Sequence, residues 1–313
     1  MIDLTEEKQM KDHMSIPEFY QQFPTEESCR QFIIKQRWPN GVTCPHCGHD
    51  KVYDIKGGMG YKCANCKERF SVRTGMIMES SRLPLQTWLL AINLMTTARK
   101  GISSVQFAKH LGVTQKTGWY LSNRIRKACT DGINPLTGEI EVDETFIGGK
   151  RKNMSNAKRK ELTGRGTVGK QPVMGMLERG GQIIAMPVKS TEKDVLQGHI
   201  RTTIKKGSTV YTDEYKSYTG LKGYTHKTVS HSAGEYVRGM AHTNGIESHW
   251  ALMKRGYIGT HHWWSMKHLH RYVTEYVHRH NNKGLTCVEA IGKVIRSGIG
   301  KKLTYRQLIE GVA

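Results

Sequence analysis

Two Cys-x-x-Cys pairs, Cys44-Pro45-His46-Cys47 and Cys63-Ala64-Asn65-Cys66, stand 15 residues apart. Nothing else in the chain restricts its fold so tightly. Each pair sets two thiolates on one tight turn, and two such turns close a tetrahedron on one Zn²⁺ with sulfur–metal distances of about 2.3 Å. Between them, Val52-Tyr53-Asp54-Ile55 and Gly60-Tyr61-Lys62 read as short strands. The prediction is a zinc ribbon over residues 44–75. Four thiolates leave no open coordination position, so the Zn²⁺ is structural and its binding energy is folding energy. His46 and His49 then read as exposed contacts rather than ligands. Cys29, Cys129 and Cys287 complete an odd total of seven, which excludes a fully paired disulfide framework and suits a reducing compartment.

The formal net charge is +21. Self-repulsion of that size does nothing for folding, so a polyanionic partner is expected. A membrane surface is the poorer candidate, because no Lys/Arg-rich amphipathic helix with an isolated apolar face stands out. No stretch approaches the roughly 18 unbroken apolar residues of a membrane span. The start, Met1-Ile2-Asp3-Leu4-Thr5-Glu6-Glu7, lacks the basic-then-apolar order of a secretory signal. These features predict a cytoplasmic protein that binds nucleic acid.

Residues 1–43 read as short helices, with a capping box at Ser15-Ile16-Pro17-Glu18 and a helix over 25–38 stopped by Pro39-Asn40-Gly41. An apolar run predicts a buried helix over 84–97. A helix-turn-helix is expected within a DNA-binding region at 76–133. Ser103 caps its first helix, Gly112 makes the turn, and Thr114 caps the second. On that second helix Gln115 and Lys116 would reach base edges, while Asn123, Arg124, Arg126 and Lys127 follow on a basic face that would meet phosphates.

Asn134-Pro135-Leu136-Thr137-Gly138 is a turn-rich boundary, opening a domain predicted over 134–285 with an unassigned tail at 286–313. Strands are expected at 139–147, 173–177, 182–188 and 209–212, a helix at 191–205, and later helices at 244–255 and 265–280. The architecture is multi-domain α/β with a mixed sheet. From Lys150-Arg151-Lys152 to Lys170 eight basic residues face only Glu161, which reads as a flexible phosphate-gripping loop. His261, His262, His268, His270, His278 and His280 would line DNA or solvent, with Trp263 and Trp264 packing or stacking and a second metal site the lesser reading.

Three acids stand out. Asp143 lies mid-strand in Glu141-Val142-Asp143-Glu144-Thr145, where a carboxylate is costly unless it is paired or binds a metal. Asp213 ends an apolar strand, the usual place for functional groups in α/β sheets. Glu247 and Lys254 are seven apart, hence on one helix face about 10 Å apart along the axis. Three converging acids can hold two Mg²⁺ (or Mn²⁺) ions about 4 Å apart, one activating the attacking oxygen and one stabilising the leaving oxygen.

The order CPHC, CANC, KHLGVTQKTGWY, VDETFIGGK, VYTDEY and HTNGIESHWALMKRG resembles the bacterial insertion-sequence transposases related to the Merlin transposons, over about residues 25–282. The resemblance implies an RNase H-like domain of the DDE type and cut-and-join chemistry on double-stranded DNA at terminal inverted repeats. It also implies an oligomer holding two DNA ends and a nucleoid-associated setting. It makes Asp143 the first acid, Asp213 the second and Lys254 the accompanying lysine. For the third ligand it leaves Asn244 and Glu247 in competition. Physical reasoning favours Glu247, because Asn244 points about 80° away from Lys254 and occupies an expected helix-cap position. A DNA-binding regulator would explain the charge and the cysteines but not the acids. A nuclease or resolvase on the same fold is the other rival.

Overall fold

The computed structural model describes residues 14–55, 57, 60–130, 132, 134–162, 166–229 and 242–310. The acidic start at Met1–Glu7, residues 163–165 of the basic loop, and the irregular stretch expected before the helix at 244 fall outside these. Two compact units result, one from residues 1–131 with 282–313 and one from 132–281.

The first unit opens with helix α1 (Ile16–Gln22), closed by the Ser15/Glu18 capping box, and α2 (Glu26–Arg37), capped by Thr25. Strands β1 (Val52–Ile55), β2 (Gly60–Cys63) and β3 (Arg69–Phe70) form an antiparallel three-stranded ribbon. Gly60 is required in it: its φ is +129°, and an added Cβ would meet the Phe70 carbonyl at 2.4 Å. Helix α3 (Leu85–Thr97) buries Trp88, Leu89, Ala91 and Ile92 completely. Its N-cap, Pro84, has no side-chain acceptor, so the Glu26 carboxylate takes the Leu85 and Gln86 amides at 2.7 and 3.2 Å.

Helices α4 (Ser104–Leu111) and α5 (Gln115–Ala128) form the helix-turn-helix. Ser103 and Thr114 cap them through the Gln106 and Thr117 amides, and Gly112 turns at φ 64°.

The second unit is a five-stranded sheet in the order β6-β5-β4-β7-β8. It comprises β4 (Glu139–Ile147), β5 (Gln171–Glu178), β6 (Ile183–Pro187), β7 (Thr209–Asp213) and β8 (Thr225–Val229). The first three pair antiparallel, while β4–β7 and β7–β8 are parallel. This is the mixed sheet of an α/β domain, as the sequence leads one to expect. The short helix α6 (Asn156–Glu161) interrupts what the sequence suggested was loop. Alternation along β4 decides the layers. Ile140 and Val142 pack with Leu196 and Ile200 of α7 (Lys193–Thr203). Ile147 joins the opposite core with Ile246, Trp250 and Met253 of α8 (Asn244–Gly256) and Val273 and Tyr276 of α9 (Leu269–Asn281).

The tail returns to the first unit. Helix α10 (Cys287–Ser297) has its own capping box at Thr286/Glu289 and buries Ile291, Val294 and Ile295 in the core that holds α3. The short α11 (Tyr305–Glu310) follows, and just before it the Leu303 carbonyl accepts the Tyr120 hydroxyl at 2.7 Å. Cys29, Cys129 and Cys287 are buried; burial pushes the Cys29 thiol up to about 11.

Candidate active site

Asp143 and Asp213 are brought together by strand register. Parallel β4 and β7 pair Glu139 with Thr209 and Glu141 with Tyr211, and the same register carried two residues on sets Asp143 level with Asp213. Asp213 ends its strand, and its Oδ1 accepts the Tyr215 amide at 3.0 Å.

Helix α8 supplies the third side of the site, and the sheet holds its N-terminus. The Glu141 carboxylate accepts the Ile246 amide at 3.0 Å through Oε2, and the Arg179 Nε donates to its Oε1 at 3.1 Å. Arg179 also donates to the His242 carbonyl at 2.8 Å. A Cβ on Gly245 would lie 2.8 Å from the Glu141 carboxylate and 2.7 Å from Leu177, so only glycine allows this approach. One turn on, the Trp250 indole crosses β5 at Gly175, where a Cβ would stand 2.5 Å from the ring. Gly175 is the ladder partner of Asp143, and the Trp250 Nε1–H donates to Asp143 Oδ2 at 3.1 Å. The sequence reading passed over Glu141, Arg179, Gly175 and Trp250 as site builders. A buried glutamate two residues before Asp143, on the same strand face, was the available signal.

Burial pushes the Asp143 carboxyl up to about 6, and the negative charges of Asp213 and Glu247 push the same way; the Glu144 backbone amide and the Trp250 indole oppose them. On the other face of β4, burial raises Glu144 to about 7 against the neighbouring Tyr218 hydroxyl, with Asp143 and Asp213 adding to the rise. Among the described residues Glu144 Oε1 is buried without a hydrogen-bond partner. Oxygen-only donors gathered around a largely buried carboxylate fit a hard divalent cation. The three carboxylates are nevertheless looser than the thiolates. Among the described residues only the four cysteines form a group whose ligand atoms all lie within 4.8 Å of one another.

Asn244 and Glu247 are both exposed on α8. Asn244 was expected to cap the helix; instead Thr243 is the N-cap and Asn244 the first helical residue. The physical reason is that Glu141, from the sheet, already accepts the Ile246 amide, while the Thr243 hydroxyl donates to Glu247 Oε1 at 2.8 Å. Lys254 lies exposed in the last turn of the same helix.

In the ribbon, Sγ–Sγ distances are 3.6 Å for both Cys44–Cys66 and Cys47–Cys63. Thiolates at about 2.3 Å from a tetrahedral Zn²⁺ stand about 3.8 Å apart, so the set fits. The His49 backbone amide leads the causes that pull Cys47 down to about 6. Trp38 meets Tyr61 and Phe70 edge-on behind the ribbon, at 6.0 and 6.1 Å.

The helix-turn-helix expectation needs correcting in its second half. Gln115 and Lys116 are exposed at the start of α5, with Gln115 Nε2 donating to Ser104 and Lys116 over the Tyr305 ring. Arg124, expected to face DNA, is only 4% exposed. Its guanidinium lies over Trp88 and Tyr120 at 5.1 and 5.3 Å and donates to the Glu79 carbonyl. Asn123 and Arg126 are buried as well. Lys150, Arg151 and Lys152 are exposed, and Arg151 holds its loop by donating to the Leu162 carbonyl at 2.7 Å. Trp264 and His278 are core residues, whereas Trp263 is exposed.

Residues 135–281 match the family model of the ISXO2-like transposase domain, and residues 24–69 match that of the transposase zinc-ribbon domain. The chain is also 30% identical over 249 residues to the "uncharacterized protein in transposable element ISH50" of Halobacterium salinarum. That match covers 74% of this chain and 83% of the relative. Among the described residues, no helix is long and apolar enough to cross a membrane.

Proposed function

The chain belongs to the insertion-sequence transposases with an ISXO2-like domain behind a zinc ribbon, and from that premise we propose that it cuts DNA at terminal inverted repeats and joins the freed ends to target DNA. The observation that carries this reading is the register that sets Asp143 level with Asp213 across β4 and β7, with the charges of both Asp213 and Glu247 reaching Asp143. Asp143, Asp213 and Glu247 would hold the divalent ions. Mg²⁺ or Mn²⁺ bound there supplies Lewis acidity at the scissile phosphate for the attacking and departing oxygens. Trp250 orients Asp143 through its indole N–H, and Glu141 with Arg179 fixes the helix that carries Glu247. Lys254, on the same helix, would hold the DNA phosphate beside the acids.

The zinc ribbon and the exposed start of α5 would select the end sequence through Gln115 and Lys116. Lys150, Arg151 and Lys152 would grip phosphates without reading sequence. Two ends cut together call for at least a dimer. Joining assays with end duplexes, plasmid target and Mg²⁺ test this reading. Asp143→Asn and Asp213→Asn should lose joining while retaining end binding, since each removes an ion ligand and no DNA anchor. A variant that joins at the wild-type rate takes its residue out of the site.

A further inference from the structure

A cleft of about 950 Å³ opens at the end of β4, where Ile147 stands four residues beyond Asp143. Lys150, Lys152, Lys170 and Lys254 line it, and among the described residues no acidic side chain does. Its lip is apolar: Trp263, Ile258 and Met266 are 55%, 63% and 38% exposed. Lysines alone would suit a duplex backbone. An exposed indole among them is explained by a ligand that has a flat apolar face as well as phosphates.

The backbone here is built for the purpose. Helix α8 runs into a π-helical turn at Tyr257–His261, and His262 then takes a left-handed conformation at φ 60°, which is costly for a residue with a Cβ. That turn leads directly into Trp263, whose ring comes within ordinary contact range of Gly149, 3.5 Å from where a Cβ would be. Tyr257 lines the same cleft and is 7% exposed.

We propose that this cleft receives one nucleotide unstacked from the element's DNA end, its base against Trp263 and its phosphates among Lys150, Lys152, Lys170 and Lys254. The proposal rests on the strand-joining reading above and adds to it a step of DNA distortion. A base inside a duplex offers only its edge; to present its face to an indole it must leave the stack.

The test uses the full-length chain with synthetic end duplexes, either fully paired or mismatched at one terminal nucleotide at a time. Trp263→Ala should slow joining of the paired end by about ten-fold or more, the scale of losing one base–aromatic stack. Trp263→Phe should retain most of the rate. With the mismatch at the extruded nucleotide, the Trp263→Ala defect should shrink toward parity, because unpairing is already done. A 2-aminopurine at that position should change its emission when the wild-type protein binds, and Trp263→Ala should abolish the change; this readout needs binding alone. Equal loss on paired and mismatched ends, or no loss and no 2-aminopurine response, would overturn the proposal. If joining depends on Asp143 but is indifferent to Trp263, only the cleft proposal fails. If joining is indifferent to Asp143, the strand-joining reading fails instead.

Discussion

Glu247 and Asn244 sit one turn apart on the same exposed end of α8, and the negative charge of Glu247 reaches Asp143. That interaction favours Glu247 as the third ligand, as does the better match of a carboxylate to divalent charge. Glu247→Gln should therefore abolish joining with Mg²⁺, and Asn244→Ala should only weaken it, with Mn²⁺ assayed beside Mg²⁺; the reverse order of severity transfers the role to Asn244. A second residue-scale prediction concerns His249 on the buried side of the helix. Burial holds its imidazole down to about 3, and the nearby His280 and Arg279 push the same way. The unfolded chain takes up this proton near pH 6.5 and the folded one does not, so stability is lost as pH falls below about 6.5. His249→Phe should remove on the order of 2 kcal/mol of that acid sensitivity at pH 4.5, read from urea melts against pH. An unchanged pH profile would mean that the ring is not buried neutral. Arg124 shows what the sequence concealed at this scale. In a basic helix a long cation looks solvent-facing, but its flat guanidinium can be sandwiched between rings, and only the tertiary contacts with Trp88 and the Glu79 carbonyl reveal that.

At the scale of elements, local rules were mostly sufficient. The caps Ser15, Ser103 and Thr114, the turn at Gly112 and strand β4 lie where the sequence put them, because each is decided within a few residues. Strand β8 was not legible: Thr225-His226-Lys227-Thr228-Val229 is an edge strand with only Val229 buried as a hydrophobe, so it carries no apolar alternation. The ribbon yields its own prediction. Cys44→Ser or Cys66→Ser should release the zinc and expose the ribbon to protease, while the core around Ile140, Met174 and Leu196 stays folded. Full zinc content in the quadruple cysteine variant would contradict the site. The exposed start of α5 and the basic loop should separate in binding assays. Gln115→Ala should weaken specific ends more than random duplex. Removing Lys150, Arg151 and Lys152 together should weaken both alike and lower the salt slope by about three. Arg124→Ala should lower stability and leave that slope unchanged. Identical behaviour of the first two sets would erase the distinction between reading and gripping.

At the scale of the whole molecule, the chain leaves its first unit at Asp131, builds the second, and returns at Asn282. The return was hidden because α10 packs on α2 and α3, some two hundred residues earlier in the chain. From sequence alone this tail goes unassigned: its Thr286/Glu289 capping box and apolar pairs at 290–291 and 294–295 are local helix signals, but no local pattern states which core a helix joins. Asp143 and Asp213 drew attention for the opposite reason: one lies in mid-strand and the other ends an apolar strand, and a charge in such a place needs an explanation. What positions them, the Glu141–Arg179 pair and the glycines that admit α8 and Trp250, emerged only from the fold. The central claim is that Asp143, Asp213 and Glu247 share one divalent-cation site. Loading the full-length protein with Fe²⁺ in place of Mg²⁺ and generating hydroxyl radicals cuts the backbone where the ion sits. Cuts should cluster at residues 143, 213 and 247, fade with excess Mg²⁺, and vanish in Asp143→Asn; cuts confined to the cysteine ribbon, or indifferent to Mg²⁺, would contradict the account.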